Sequence, residues 1–159
     1  SGLSSLSRWT IVRRTSTRGA AMKTRPSTRR ERRAEAPEEA LAAPALRTFF
    51  RIAEAWGLSP TEQIVLLGDP PRSTFYKWRE GGATRLSRDA LERISYVFGI
   101  YKALQILFPD PARADAWVRR PNDAPPFAGR SALDRMLSGN VSDLYVVRQY
   151  LDAQRGGWP

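Results

Sequence analysis

The sequence predicts an all-α fold in which a disordered, basic N-terminal tail precedes a helical region. From residue 37 onward apolar residues recur at three- and four-residue spacing, as in amphipathic helices, and no segment shows the alternation of a strand. Glycine and proline interrupt this pattern repeatedly, which indicates several short helices around one long helix. Residues 1–36 hold ten basic and two acidic residues without a helical period, a composition typical of disorder.

Three interpretations of the basic tail stay open. It is a leader without a role of its own ahead of a translation start at Met22, an arm whose arginines neutralise nucleic-acid phosphates, or an organellar transit peptide. The chain has a net charge of +10, but residues 37–159 hold sixteen basic and fourteen acidic residues. The helical region is therefore nearly neutral, and most of the basic character lies in the tail.

Composition narrows the range of possible functions. A chain of 159 residues suffices for one sizeable domain or two small ones. It contains no histidine, the commonest general base, and no cysteine, so the usual zinc ligands are missing. Its aspartates are scattered, which leaves a small carboxylate hydrolase as a weak alternative, and we expect no catalytic residue, metal or cofactor. The lack of cysteine fits a reducing cytoplasm, and no apolar run approaches the ~20 residues of a membrane span.

Glycine, proline and capping residues set the bounds of the first three predicted helices, of which the second and third are short. Residues 38–56 form the first, with Pro44 as a kink or as its true beginning, and Gly57 ends it. Ser59, followed by proline and by glutamate three residues later, is a capping box that begins the second helix. A tight turn after Gly68 leads to the third helix, from Arg72 to about Glu80. Two short helices joined by such a turn predict a helix-turn-helix.

The third predicted helix suits entry into the major groove of DNA. Phe75 and Trp78 would face the core, which leaves hydroxyl and basic side chains on the opposite face. Arg72 or Lys77 would bond guanine, and Ser73, Thr74 and Tyr76 would reach phosphates or base edges. Arg85 and Arg88, which follow the helix, would anchor phosphates. The predicted DNA-binding residues are Arg72, Ser73, Thr74, Tyr76, Lys77, Arg79, Arg85 and Arg88. The alternative is that the two short helices only pack together.

Ser87–Phe108 is the longest uninterrupted helical pattern. Ser87 is the expected N-cap, and Pro109 stops the helix. Its apolar stripe, which includes Phe98, widens in the second half, so the helix needs partners on more than one side. Gly99 in mid-helix costs about 1 kcal/mol relative to alanine, which indicates close packing or a bend there.

The C-terminal third predicts three further helices, at residues 112–118, 132–137 and 141–154. A proline-rich loop precedes Ser131, the expected cap of the second of these. Trp158 follows two glycines near the chain end. It serves there as an anchor that fills a pocket of a partner, or it folds back on its own helix, or it is disordered like most chain ends.

Two sets of motifs in this order resemble one family. The C-terminal segment resembles the toxin-binding domain of Xre/MbcA/ParS-like antitoxins, and the helix-turn-helix, with LLG and TFYKW, is similar to their Xre-type half. The resemblance covers residues 46–159. The turn after Gly68 departs from the family pattern, being one residue longer. The matching C-terminal residues are Trp117, Pro121, Asn122, Phe127, Gly129, Arg130, Ser131, Leu133, Met136, Leu137, Gly139, Gly156, Gly157 and Trp158.

The resemblance implies a type II antitoxin. Such a protein binds a RES-domain toxin, an enzyme that consumes NAD, blocks the toxin's active site with its C-terminal region, dimerises, and represses its own promoter. The predicted domains are a tail at 1–36, which lies outside the resemblance, a helix-turn-helix domain at 37–99 and a toxin-binding domain at 100–159. We expect the long helix to link the last two as a rigid strut. The expected toxin contacts are Arg130, Arg148, Gln154, Arg155, Trp158 and Pro159. The alternative is a helix-turn-helix regulator whose C-terminal domain only dimerises.

Overall fold

A computed structural model describes residues 29–82 and 85–156, with side chains for Arg29 and for residues 39–82 and 85–156. Seven helices lie in these ranges: α1 Arg29–Ala55, α2 Pro60–Leu66, α3 Arg72–Arg79, α4 Arg88–Leu107, α5 Pro111–Trp117, α6 Ala132–Met136 and α7 Val141–Gln154. The described residues contain no strand, and one isolated bridge pairs Pro121 with Ser131. The predicted all-α fold is confirmed.

The first helix begins earlier than the sequence pattern indicated. α1 starts at Arg29, so residues 29–36, which we predicted as part of the disordered tail, are helical. Arginine, glutamate and alanine make up this stretch, and all three have high helix propensity although they form no apolar stripe. The helix also continues through Pro44, which is therefore not its beginning. The rest of the predicted tail, with Met22, lies outside the described residues.

The turn between α2 and α3 is fixed by backbone conformation and by a close approach to α4. The predicted capping box is present, because the Ser59 hydroxyl accepts from the Glu62 amide at 3.2 Å and the Glu62 carboxylate accepts from the Ser59 amide at 2.8 Å. Gly68 has a φ of +91°. A Cβ at Gly68 would lie 2.7 Å from the Asp89 carboxylate and 3.1 Å from Nε of Arg93. This position therefore requires glycine, and α3 begins at Arg72 as predicted.

The fourth helix is the element around which the others pack. It contacts α1, α5 and α7, which confirms that it needs partners on more than one side. Ser87 caps it, accepting from the Ala90 amide at 3.1 Å. One core of buried residues runs without a break from Ala42 on α1 to Leu151 on α7, so the helix-turn-helix and the C-terminal helices share it.

One expected core residue of α4 lies at the surface instead. Phe98 is 47% exposed, because it occupies a side of the helix that its neighbours leave open. With Leu41 of α1, which is 57% exposed, it borders an apolar groove of about 350 Å³ between α1 and α4. Among the side chains that the structure describes, no charged one lines this groove. The other lining residues are Pro44, Ala45, Thr48, Leu91, Ile94 and Ser95.

At Gly99 a side chain of α7 lies directly against α4. A Cβ at this position would lie 1.5 Å from Nη1 of Arg148, so the guanidinium of Arg148 occupies the space of the missing side chain. The close packing predicted for this glycine is confirmed. Arg148 is held there by an ion pair with Asp152 at 2.7 Å.

Candidate functional site

The orientation of α3 is set by an aromatic contact with α1. Phe75 is fully buried, and its ring meets the ring of Phe50 edge to face at 5.9 Å between centroids. Trp78 is half-buried on the same side of α3. Ser73, Tyr76 and Lys77 are consequently turned away from the core and exposed, as the sequence predicted.

The exposed face of α3 carries hydrogen-bond donors suited to DNA. Tyr76 is 40% exposed, and Arg72, Ser73 and Lys77 are also exposed, whereas Thr74 is half-buried. The stem of Lys77 runs along the turn after the helix, since a Cβ at Gly82 would lie 2.9 Å from its Cγ. Side chains of this kind bond guanine and phosphate oxygens. DNA contact by these residues stays a prediction.

The remaining predicted DNA-binding residues lie beside this face. Arg79 is exposed on the flank of α3 next to α1, where it borders a depression of about 110 Å³ together with Arg47 of α1. Arg85 and Arg88 are exposed between α3 and the first turn of α4. Arg79, Arg85 and Arg88 thus lie beside the central face of α3 and not on it. In that position we expect them to bind phosphates and not bases.

The C-terminal helices are held by capping groups. Ser131 caps α6 in a second capping box, in which its hydroxyl accepts from the Asp134 amide at 3.0 Å. Asp143, near the start of α7, accepts from the Ser138 hydroxyl at 2.5 Å and from Nε of Arg135 at 2.9 Å. The hydrogen bond from Ser138 is the main cause that lowers the pKa of Asp143, and the backbone hydrogen bond from Ser131 is the main cause that lowers the pKa of Asp134.

These two carboxylates predict a loss of stability in acid. A group whose pKa is lowered by folding stabilises the fold above its unfolded pKa, here about 3.8, and that stabilisation disappears as the pH falls through the folded pKa. We expect the melting temperature to hold down to about pH 4 and to fall below it. Asp143→Asn should melt lower than wild type at pH 7 and fall less in acid, measured by circular dichroism. An equal acid-induced fall in both proteins would show that Asp143 does not contribute.

The predicted toxin contacts do not share one face. Arg148, which is half-buried, and Arg155, which is exposed, lie on one side of α7, both near Asp152, whose carboxylate is 2.7 Å from the first and 3.8 Å from the second. Gln154 is exposed about 120° around the helix axis from Arg148. Arg130 is exposed in the loop before α6. Trp158 and Pro159 lie outside the described residues.

An aromatic cluster fixes the proline-rich loop against α7. The ring of Phe127 is buried and lies 5.0 Å from that of Tyr150, and Trp117 stacks on Tyr150 at 6.2 Å with an interplanar angle of 19°. Exposed Tyr145 packs edge to face on Tyr96 of α4 at 6.0 Å. The segment after α5 is therefore a rigid platform with tyrosine and arginine at its surface, the residue types enriched in protein interfaces.

Comparison with known proteins finds two family models that match this chain. Residues 25–99 match the family model of the antitoxin Xre-like helix-turn-helix domain, and residues 103–157 match that of the antitoxin Xre/MbcA/ParS C-terminal toxin-binding domain. This chain belongs to the Xre/MbcA/ParS family of antitoxins. Over 112 residues the antitoxin is 60% identical to the uncharacterized protein y4oB of Sinorhizobium fredii (strain NBRC 101917 / NGR234), an alignment that covers 70% of this chain and 84% of that protein.

The antitoxin also contains a polar link that could not be predicted from the sequence. Arg119, after α5, donates to the carbonyls of Trp56 at 3.1 Å and Gly57 at 2.8 Å, and to the carboxylate of Glu62 at 3.0 Å. It thereby satisfies two carbonyls at the end of α1 and joins the first helix of the helix-turn-helix. Its partners are 57 to 63 residues away in the chain, so no local pattern identifies it.

Two further properties of the antitoxin concern membranes and metals. Within residues 29–82 and 85–156, no helix is long and apolar enough to cross a membrane. The same ranges contain no group of three or more acidic residues placed to hold a metal ion.

Proposed function

We propose that this antitoxin binds a RES-domain toxin and covers its active site with the C-terminal region, while α3 binds operator DNA and represses the antitoxin's own operon. The toxin would be an NAD-degrading enzyme, and the antitoxin would be a non-enzymatic cytoplasmic inhibitor without a cofactor. One observation carries the proposal: the helix-turn-helix part, with its exposed basic helix α3, is followed by a toxin-binding domain. Both parts share one hydrophobic core. The RES identity rests on the resemblance of the C-terminal motifs.

The composition supports the assignment of the chemistry to the toxin. The whole chain lacks histidine and cysteine, so the residues that most often act as general bases and thiolate nucleophiles are missing. An inhibitor needs only a stable surface that fills the toxin's pocket. Arg148 and the tyrosines of α7, Arg155 directly after the helix, and the expected tail contacts Trp158 and Pro159 would supply that surface.

Co-expression tests the toxin-binding half of the proposal. The RES-type protein encoded by the neighbouring reading frame should arrest growth and deplete NAD when expressed alone, and this antitoxin should restore both. A chain that lacks Arg155 to Pro159 should neutralise less well but bind promoter DNA as the full chain does. Full neutralisation by the shortened chain would show that the tail is not a contact. Promoter binding without any rescue by the full chain would favour the alternative, a regulator whose C-terminal domain only dimerises.

We also propose that the antitoxin acts as a homodimer within a toxin–antitoxin hetero-oligomer, with a second copy on the apolar groove between α1 and α4. The eight-residue α3 reads too few base pairs alone, and a two-fold dimer places two recognition helices on adjacent major grooves. The groove favours a second copy because the same patch contains both a depression and the protruding side chains of Leu41 and Phe98, as a two-fold interface requires. Every lining residue also belongs to the helix-turn-helix part.

Phe98→Glu should convert the dimer into a monomer, because a carboxylate in an apolar interface loses its hydration without a partner. The measurement is the molar mass by sedimentation or light scattering. Ile106→Glu is the matched control, since Ile106 is 53% exposed two turns further along α4 but does not line the groove, and this variant should stay dimeric. An unchanged mass for Phe98→Glu would remove the groove as the dimer contact.

A further inference from the structure

We propose that Arg47 of α1 binds a backbone phosphate of duplex DNA together with Arg79, so that the DNA-binding surface extends from the helix-turn-helix onto α1. This inference rests on the proposed binding of DNA by α3 and names a contact that lies outside the helix-turn-helix motif. The ligand is a DNA phosphate rather than a base, because the residues concerned lie at the edge of α3 and not on its central face.

The two arginines border the same small depression. Arg47, Arg79 and Gly81 lie around it, and Phe50 and Trp78 are also among the residues that line its volume of about 110 Å³. Both arginine side chains are exposed. Among the side chains that the structure describes, neither forms an ion pair, whereas five other arginines pair with carboxylates. Both guanidinium groups are therefore available to an anion.

The packing of α1 on α3 places Arg47 beside the end of the recognition helix. Phe50 contacts the buried ring of Phe75 at 5.9 Å, and Arg47 lies three residues before Phe50, on the same side of α1. Residues of the C-terminal turn of α3 then lie across the depression from it. The same contact that orients α3 thus also orients Arg47.

The chemistry of this edge suits a phosphate. A helix inserted in the major groove has phosphate backbones along its flanks, and an arginine fork donates two parallel hydrogen bonds to phosphate oxygens. Neither Glu54 nor Glu80 forms an ion pair with Arg47 or Arg79. Glu54 lines a different depression, which it shares with Arg79 but not with Arg47, and Glu80 is exposed and unpaired with either arginine.

The salt dependence of DNA binding tests this contact. The full-length antitoxin is titrated with a short random-sequence duplex, by fluorescence anisotropy, between about 50 and 200 mM salt. Arg47→Ala should reduce the slope of log K against log salt by about 0.9, the value for one lost phosphate contact, so its deficit in affinity should be about 3.5-fold larger at the lower salt concentration. Arg47→Lys should keep most of the slope because it retains the charge.

Arg51→Ala is the matched control. Arg51 is exposed on the next turn of α1 and carries the same charge, but it does not line the depression, so its replacement should leave the slope at the wild-type value. Equal reductions in both variants would mean that only net charge matters and would overturn the proposal, as would a wild-type slope for Arg47→Ala. Failure of the wild-type antitoxin to bind any duplex, including its promoter, would instead contradict the proposed DNA binding itself. Both sites are exposed, so both variants should melt at the wild-type temperature.

Discussion

Replacing Phe75 with alanine is expected to remove about 3–5 kcal/mol from the free energy of unfolding. The ring is fully buried, and it contacts Phe50 on α1 and Tyr76 on α3 at centroid distances of 5.9 and 5.2 Å. Its removal leaves a cavity where α3 joins α1, so operator binding should also be lost. Chemical denaturation measures the first effect, and anisotropy with promoter DNA measures the second.

Ser73→Ala is the control that shows whether any substitution in α3 lowers the free energy of unfolding. Ser73 is exposed on the opposite face, so its replacement should change the unfolding free energy by less than about 0.5 kcal/mol. A loss below about 1 kcal/mol for Phe75→Ala would show that the surrounding side chains collapse into the space and that the contact does not hold α3 in place.

Gly68→Ala is expected to have the second largest effect, about 2–4 kcal/mol. Its φ of +91° costs a residue with a Cβ about 1–2 kcal/mol, and that Cβ would lie 2.7 Å from the Asp89 carboxylate. The ion pair between Asp89 and Arg93, 2.9 Å long, must then shift, and Arg93 is buried, so the displacement adds to the backbone strain. Equilibrium denaturation gives the loss.

Gly57→Ala is the matched control that measures only the cost of a positive φ angle for a residue with a Cβ. Gly57 has a φ of +62°, but a Cβ there would meet no atom within 4 Å. This variant should lose only about 1–2 kcal/mol. Equal losses at the two positions would show that the ion pair yields without cost and that only the left-handed conformation matters at Gly68.

The features that the sequence predicted correctly are the local ones. The cap residues Ser59, Ser87 and Ser131 each accept the hydrogen bond expected of them, because capping depends on residues within three positions of one another. The same holds for Gly68, which ends α2. Helix bounds from residue 59 onward consequently agree with the pattern to within one or two residues.

The features that the sequence could not predict depend on which helices become neighbours. Phe98 belongs to an apolar stripe, so the sequence predicts that it is buried. It is exposed because α1 and α7 pack on other sides of α4, and their positions cannot be read from the spacing. Likewise, spacing does not reveal that Arg148 fills the space at Gly99 or that Arg47 lies beside Arg79. The early start of α1 was missed for another reason, since high propensity without an apolar stripe leaves no periodic signal.

We expect the hydrogen bonds of Arg119 to restrict which toxin-binding segments can be joined to this helix-turn-helix. Recombination that joined a new toxin-binding segment after α4 would remove the side chain that binds the carbonyls of Trp56 and Gly57, directly after α1, and the Glu62 carboxylate of α2. The resulting protein would keep the recognition helix α3, but α2 would lose the arginine that binds its Glu62. Chimaeras between relatives should therefore retain operator binding only when the incoming segment has an arginine at this position. Arg119 would then decide which C-terminal segments can replace the native one.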